Sequence, residues 1–380
     1  MYVWILLIIV VCVLAYLVFF SKKTDLGINI KPGSRSGANI EDYDEAFAKA
    51  TNADKIGALA VGIVGPNGLE WSKGYGNAGT KGSVNKDTIF RIASISKMFT
   101  AIIALMLVRK GKLKLSDCAN KYLPEIKRLE CIKGYQDCVT IDQLLSQTSG
   151  IDRISENDID QRGDICHWKK SLINAIEHTG FTWKPGTHYE YSNMGYAILG
   201  LVLERAFSEK SSDKMGYFEM VDKWILKPLQ MNDTSFEFPT DKEDRVADAR
   251  YNHGEEYKIG KPTDDHQGAA AIYGGAYSTV SDLAKFMAAL MGTNLLSESE
   301  KDLMFTPHNP NPLVDQLYGY GTEIQRSNHN IIGHSGALPG YKTQFGFDRS
   351  KKKGIIILRN YFTGQVKLGG TMIAMIRDLA

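Results

Sequence analysis

The chain has 380 residues, enough for one large domain or two ordinary ones. Apolar residues make up 43% and charged residues 23%, a composition that excludes a disordered polymer and predicts a substantial core. Forty-five basic side chains face 43 acidic ones for a net charge of +2, which lacks the basic excess of a dedicated nucleic-acid binder.

The first element is "YVWILLIIVVCVLAYLVFF", Tyr2 to Phe20, without a charge over 19 residues. As a helix it would span ~28 Å, close to the hydrocarbon thickness of a bilayer. It lacks the basic start, shorter apolar region and small-residue cleavage site of a removed signal. A single-pass, uncleaved membrane anchor at residues 2–20 is therefore expected, with the lipid bilayer as its partner. Lys22 and Lys23 follow the run and vote for a cytoplasmic main domain; Asp25 partly offsets them and leaves the side open. Residues 21–40 are rich in Gly, Ser and Lys and read as a linker, with the main domain at residues 41–380.

"EDYDEAFAKATNA" predicts a short helix, and "ALAVGIVGPNGLEWSKGYG" predicts two strands joined at Pro66-Asn67-Gly68. "TIFRIA" predicts another strand, followed by an apolar helix that stops at Gly111. From about 95 to 270 the pattern is of helices and loops, with few strand signals. "GYKTQFGFD" and "GIIILRN" predict two strands across the polar turn Arg349–Lys353, and Gln365–Ala380 is apolar at helical spacing. These elements predict an α+β fold. An antiparallel sheet is built from the N- and C-terminal segments, flanked by helices, with an inserted mainly helical region. A cleft between the two regions is the expected active site.

Cys12 lies in the predicted anchor. Cys118, Cys131, Cys138 and Cys166 form no CxxC pair; they allow two disulfides or free thiols, and free thiols are the simpler expectation. The eight histidines form no HExxH or HxH pattern, so neither a metal nor another cofactor is expected.

The chemistry gathers in "FRIASISKMFTAIIALMLVRKGKL", Phe90 to Leu113. Ser94 and Lys97 lie one turn apart on one helix face, at the head of a segment apolar all round. A lysine buried there must be paired or shed its proton, and a neutral amine beside a hydroxyl is a general base. The helix start would supply an N–H where an oxyanion forms. The spacing SxxK occurs four times, at Ser83, Ser94, Ser211 and Ser350. Only the Ser94 copy follows a strand and opens an apolar helix.

Two further stretches complete a pattern: Tyr191-Ser192-Asn193 within "KPGTHYEYSNMGYAILG", and His334-Ser335-Gly336 opening "HSGALPGYKTQFGF". With "IDQLLSQTSGID" at 141–152 and "GGAYSTVSDLAKFMAAL" at 274–290, the ordered set resembles the serine β-lactamase-related superfamily. That superfamily includes class C β-lactamases, D-alanyl-D-alanine carboxypeptidases, D-aminopeptidases and related esterases. The resemblance covers about residues 43–375 and implies a β-lactamase/transpeptidase-like fold acting through an acyl-enzyme. It implies Ser94 as nucleophile, Lys97 as the group that takes its proton, and Tyr191 as proton carrier. A free phenol titrates near pH ~10, so Tyr191 is expected to be lowered by the charge of Lys97. Asn193 would orient Lys97 and meet the substrate, and the N–H groups of Ser94 and Ala337 would form the oxyanion hole.

The third element departs from the Lys-Thr-Gly of well-known β-lactamases. His334 is mostly neutral at pH 7 and would not attract a substrate carboxylate as lysine does. Hydrolysis of a small-molecule or peptide ester or amide is therefore expected ahead of true β-lactamase or penicillin-binding DD-peptidase activity. The alternative from another class is a non-catalytic relative that keeps the cleft for binding or assembly.

Overall fold

The structure is a computed structural model that describes residues 38–126, 138–161, 163–209, 214–253, 256–260, 267–313 and 316–380. Its centre is a six-stranded antiparallel sheet in the order β2-β1-β10-β9-β8-β7. Strands β1 (Ala58–Gly65) and β2 (Gly68–Gly76) come from the N-terminal side. The C-terminal side supplies β7 (Glu323–Ile324), β8 (Ile331–Leu338), β9 (Tyr341–Asp348) and β10 (Lys353–Arg359). The expected hairpin closes with Gly65 opposite Gly68, and β1 pairs on its other side with β10 from Leu59↔Arg359 to Val64↔Gly354. The polar run after β9 is the expected tight turn, held by Asp348, whose Oδ1 accepts from Ser350 N at 2.9 Å and Lys351 N at 3.0 Å.

Period-two alternation divides the strands between two cores. Leu59, Val61, Ile63, Ile355 and Ile357 face helices α1 (Ile40–Asp54) and, near the C-terminus, Leu368–Leu379. Asn39 and Asp42 close a reciprocal cap at the start of α1, and the Tyr43 hydroxyl donates to Asp378 Oδ2 at 2.8 Å, tying the two terminal helices together. Phe47 is fully buried between α1 and the sheet, worth about 2–3 kcal/mol. Ala60, Val64, Phe345, Phe347, Ile356 and Leu358 face the opposite way, into the core shared with the helical region.

Short strand β3 (Phe90–Arg91) leads into α2 (Ser96–Arg109), which is buried from Ser96 to Leu107 and ends before Gly111 at φ +66°. It packs against α5 (Asn193–Glu209) and the short helix α7 (Ala270–Gly274); between α2 and α5 the chain forms α3 (Ile141–Leu145) and α4 (Trp168–Glu177), and Tyr217–Val221 forms α6. The middle of the chain also carries a hairpin, β4 (Ala249–His253) and β5 (Glu256–Gly260), that hydropathy does not reveal. Its strands read "ARYNH" and "EYKIG", too polar to show an apolar face. Strand β6 (Tyr277–Ser278) pairs with β3, and α8 (Val280–Met291) lies against β1.

The expectation of free thiols is overturned at two positions. Ala119 N donates to Val139 O at 2.8 Å, and Cys118 bridges Thr140 in the same antiparallel contact. This pairing brings the Cα atoms of Cys118 and Cys138 to 5.7 Å, and the two are joined in a disulfide. Cys166 is a free, exposed thiol, and Cys131 lies outside the described residues. So do the expected anchor at 2–20 and the linker up to residue 37; among the described residues no helix is long and apolar enough to cross a membrane.

The disulfide closes a loop between residues 20 apart, for which chain entropy assigns about 3 kcal/mol. The double variant Cys118→Ser, Cys138→Ser is expected to lose stability of that order in urea unfolding. An unchanged midpoint would place the loop's restraint elsewhere.

Candidate active site

Three parts of the chain meet at Ser94, beginning with the turn that presents it. After β3 the backbone passes through Ala93 at φ +51°, a left-handed conformation costly for a residue with a Cβ. Neighbours on every side hold it there. Ile92 N donates to Ala276 O at 2.9 Å, Thr343 Oγ1 donates to Ile92 O at 3.0 Å, and Ser96 Oγ donates to Ala93 O at 2.7 Å. The result is one 3₁₀ turn, Ala93–Ile95, ahead of α2. Ser94 therefore stands partly exposed on a turn before the helix, where the sequence places it in the helix's first turn.

One turn on, Lys97 is wholly buried. Its Nζ donates to Asn193 Oδ1 at 2.8 Å and to the Tyr273 carbonyl at 2.9 Å, and stands 3.2 Å from Ser94 Oγ. Burial holds its pKa well below that of an ordinary lysine; the Arg153 charge pushes the same way and Glu323 opposes. A neutral amine has two N–H bonds and one lone pair. Two of its three neighbours can only accept, so the N–H bonds go to them and the lone pair is left for the hydroxyl of Ser94. The rings of Tyr191, Tyr273 and Tyr196 surround Nζ at 4.9, 5.0 and 5.7 Å.

Asn193 is the first residue of α5, and its N–H donates to Arg153 O at 2.8 Å. The preceding residue is fixed as well. Ser192 N donates to Gln147 Oε1 at 2.7 Å, and Ser192 Oγ donates to Asp152 O at 2.8 Å. These bonds set where Tyr191 emerges. Its ring lies between the Arg153 guanidinium, 4.9 Å from the centroid, and the edge of Tyr318 at 6.1 Å. The expectation that Lys97 lowers the phenol's pKa is overturned: burial raises it, and hydrogen bonding with Ser94 offsets only part of the rise. The physical reason is desolvation, which disfavours the phenolate, and the Glu323 charge pushes the same way.

The third element is strand β8. His334 is buried; its Nε2 lies 2.9 Å from the Tyr318 hydroxyl and its Nδ1 2.6 Å from Ser335 O. The carbonyl can only accept, so Nδ1 carries the proton and Nε2 accepts from Tyr318, a satisfied neutral imidazole. Burial lowers its pKa, in line with the neutral histidine expected from sequence. Gly336 lies where β8 meets the Ser94 turn. A Cβ there would come 2.2 Å from Thr343 Oγ1 and 2.5 Å from Ile92 O. Ser335 N points across the strand edge to Glu323 Oε2 at 3.1 Å. Ala337, two residues on, presents its N–H to the same edge, because backbone groups repeat every second residue along a strand. The eight residues singled out in the sequence, Ser94, Lys97, Tyr191, Asn193, His334, Ser335, Gly336 and Ala337, thus lie on three elements that meet around the Ser94 turn.

Pattern reading missed Arg153, Tyr273, Tyr318 and Glu323. Tyr273 acts through its backbone carbonyl, which no side-chain motif reports, while its hydroxyl donates to the buried Asp160 at 2.5 Å. Tyr318 and Glu323 sit in "LYGYGTEI", whose only sequence signal is its spacing of tyrosine and glycine.

Gly336→Ala is expected to push β8 away from the Ala93–Ile95 turn. Displacement of about 1 Å at a reacting group costs roughly a hundredfold in rate. Labelling of Ser94 by an active-site serine probe should slow by that order, followed by intact mass. Wild-type labelling would remove the close approach from the site's requirements.

Comparison with known proteins gives the family and supports the fold. The family model described as Beta-lactamase matches residues 43–373. Protein flp of Staphylococcus aureus (strain NCTC 8325 / PS 47) is 28% identical over 298 residues, covering 76% of this chain and 56% of that protein. Beta-lactamase-like protein 4 of Dictyostelium discoideum is 28% identical over 336 residues, covering 83% of this chain and 58% of that one. The chain thus spans little more than half the length of these curated relatives. Among solved structures, the octameric penicillin-binding protein homologue from Pyrococcus abyssi superposes with a TM-score of 0.72 at 26% identity, over 85% of this chain and 74% of that one. A D-stereospecific amidohydrolase from Streptomyces sp. gives 0.69 at 20% identity over 89% and 98%, a likeness of fold alone.

Proposed function

The chain belongs to the Beta-lactamase family over residues 43–373, and from that premise we propose that it is a serine acyl hydrolase, cleaving an ester or amide through an acyl-enzyme. The observation that carries this reading is the buried Lys97 amine, bonded to two obligate acceptors with its third direction open to Ser94 Oγ at 3.2 Å.

In this reading the Ser94 oxygen attacks the substrate carbonyl carbon while its proton passes to Lys97 Nζ. The oxyanion rests on the N–H groups of Ser94 and Ala337, each worth about 3 kcal/mol of barrier. Tyr191, held as a phenol, gives its proton to the leaving group as the bond to that group breaks, and regains one from Lys97. Water then repeats the attack on the acyl-enzyme, its proton returning through the same groups, and Ser94 is released. Asn193 holds the amine in line.

Small-molecule or peptide esters and amides rank above β-lactams and carboxylate-terminated peptides in this reading. The third element supplies a neutral imidazole and a neighbouring glutamate where a cation would attract a carboxylate. The same reading keeps residues 2–20 as a membrane anchor. The Cys118–Cys138 pairing favours an oxidising compartment for the domain, against the vote of Lys22 and Lys23.

Ser94→Ala is expected to abolish labelling by an active-site serine probe while leaving the thermal unfolding profile intact; equal labelling of both forms would dispose of the assignment. Lys97→Arg keeps a cation that cannot deprotonate, and should slow acylation about a thousandfold. In the native protein the base works only when deprotonated, so acylation should rise with pH and level off well below the range of an ordinary lysine. A rate that falls over that interval would contradict a neutral Lys97.

A further inference from the structure

At the β7–β8 end of the cleft, the Glu323 carboxylate occupies both donors that Ser335 offers. Ser335 N donates to Oε2 at 3.1 Å and Ser335 Oγ donates to Oε1 at 2.7 Å. Glu323 is held at this edge by its place in β7, where it pairs opposite Gly333. Its side chain remains 29% exposed at the β8 edge, so a ligand there can reach the carboxylate. Among the described residues its one ion-pair neighbour is His334, 3.7 Å away, whose ring nitrogens are already satisfied as a neutral imidazole. No lysine or arginine balances the charge within ion-pair distance among those residues.

Resting on the hydrolase reading of Ser94, we infer that Glu323 is a specificity residue: it makes the Ser335 end of the cleft select substrates whose adjoining group is an ammonium or a neutral donor, and reject those that carry a carboxylate there. Two features support this. The donors that would bind an anion, Ser335 N–H and O–H, are taken by a group of the same sign as that anion. The Glu323 charge also reaches across the site, opposing the fall in the pKa of Lys97 and His334 and adding to the rise in that of Tyr191 and Tyr318. A carboxylate entering here would meet uncompensated repulsion in a partly desolvated place, and an ammonium would find an acceptor already oriented by two hydrogen bonds. Arg153, against the Tyr191 ring on the far side, gives the cleft opposite charges at its two ends.

The test uses covalent capture, which requires no turnover. Three p-nitrophenyl alkylphosphonates of equal length, ending in trimethylammonium, hydroxyl or carboxylate, are reacted with the protein, and labelling of Ser94 is followed by intact mass. At low ionic strength the wild type is expected to react in the order ammonium, hydroxyl, carboxylate, each step about tenfold. Glu323→Gln, which removes the charge and keeps an acceptor, should shrink the ammonium-to-carboxylate ratio by at least about tenfold. Glu323→Ala is run beside it, and the hydroxyl probe serves as the reference for an intact site. A spread retained in both variants, or a carboxylate probe that reacts fastest with the wild type, would overturn the assignment. Loss of hydroxyl-probe labelling in both variants would overturn it too, by making Glu323 a structural residue. Failure of all three probes to label the wild type would instead sink the hydrolase reading on which it rests.

Discussion

The burial of one amine organises this molecule. Lys97 lies in a helix with no polar face, so its charge has no water to meet, and its Nζ must be satisfied from inside. The partners come from two distant places in the chain, a side chain at the start of α5 and a backbone carbonyl in α7. Both can only accept, which decides how the amine points its lone pair. Burial acts on both side chains directly: it destabilises the Lys97 ammonium and the Tyr191 phenolate. One cause thus pushes both side chains towards their neutral forms.

The sheet supplies the other half of the constraint. Strands from the two ends of the chain pair through β1 and β10, and the terminal helices lock over one face, leaving β8 to lean on the Ser94 turn from the other. That approach is close enough to exclude a side chain at Gly336, and the hydrogen bond from Thr343 to Ile92 O holds the two elements in step. The left-handed Ala93 is tolerated because three separate hydrogen bonds surround it. Rigid supports around a strained turn are what a precisely placed hydroxyl demands.

Charge at the edge of the site follows a different logic from the Lys97 cluster. His334 is buried in β8, and the structure satisfies both of its ring nitrogens in the neutral form. Glu323, from a two-residue strand, then adds a negative group beside Ser335. The two groups act together, since a neutral imidazole leaves the glutamate's charge unopposed. Family membership alone would not distinguish this cleft from one built to bind carboxylates.

Much of this was legible in the amino acids. The strand-like apolar runs "ALAVGIVG" and "GIIILRN", the hairpin at Pro66-Asn67-Gly68, and a lysine one turn after a serine in an apolar helix are local patterns, and local sterics and hydrophobicity decide them. The polar hairpin Ala249–Gly260 and the Cys118–Cys138 bond were not legible, because neither leaves a periodic trace. The protonation of Tyr191 was misjudged from sequence, because a pKa depends on burial and on a neighbour's own charge state, which no spacing encodes. The sequence by itself determined the apolar strands, the buried helix and the serine, lysine and tyrosine that meet at its head. Only the tertiary structure decided which carbonyl Lys97 would meet, which tautomer His334 would keep, and that Glu323 would stand at Ser335. These depend on atoms brought within a few ångströms across scores of residues, and such contacts exist only once the chain has closed on itself.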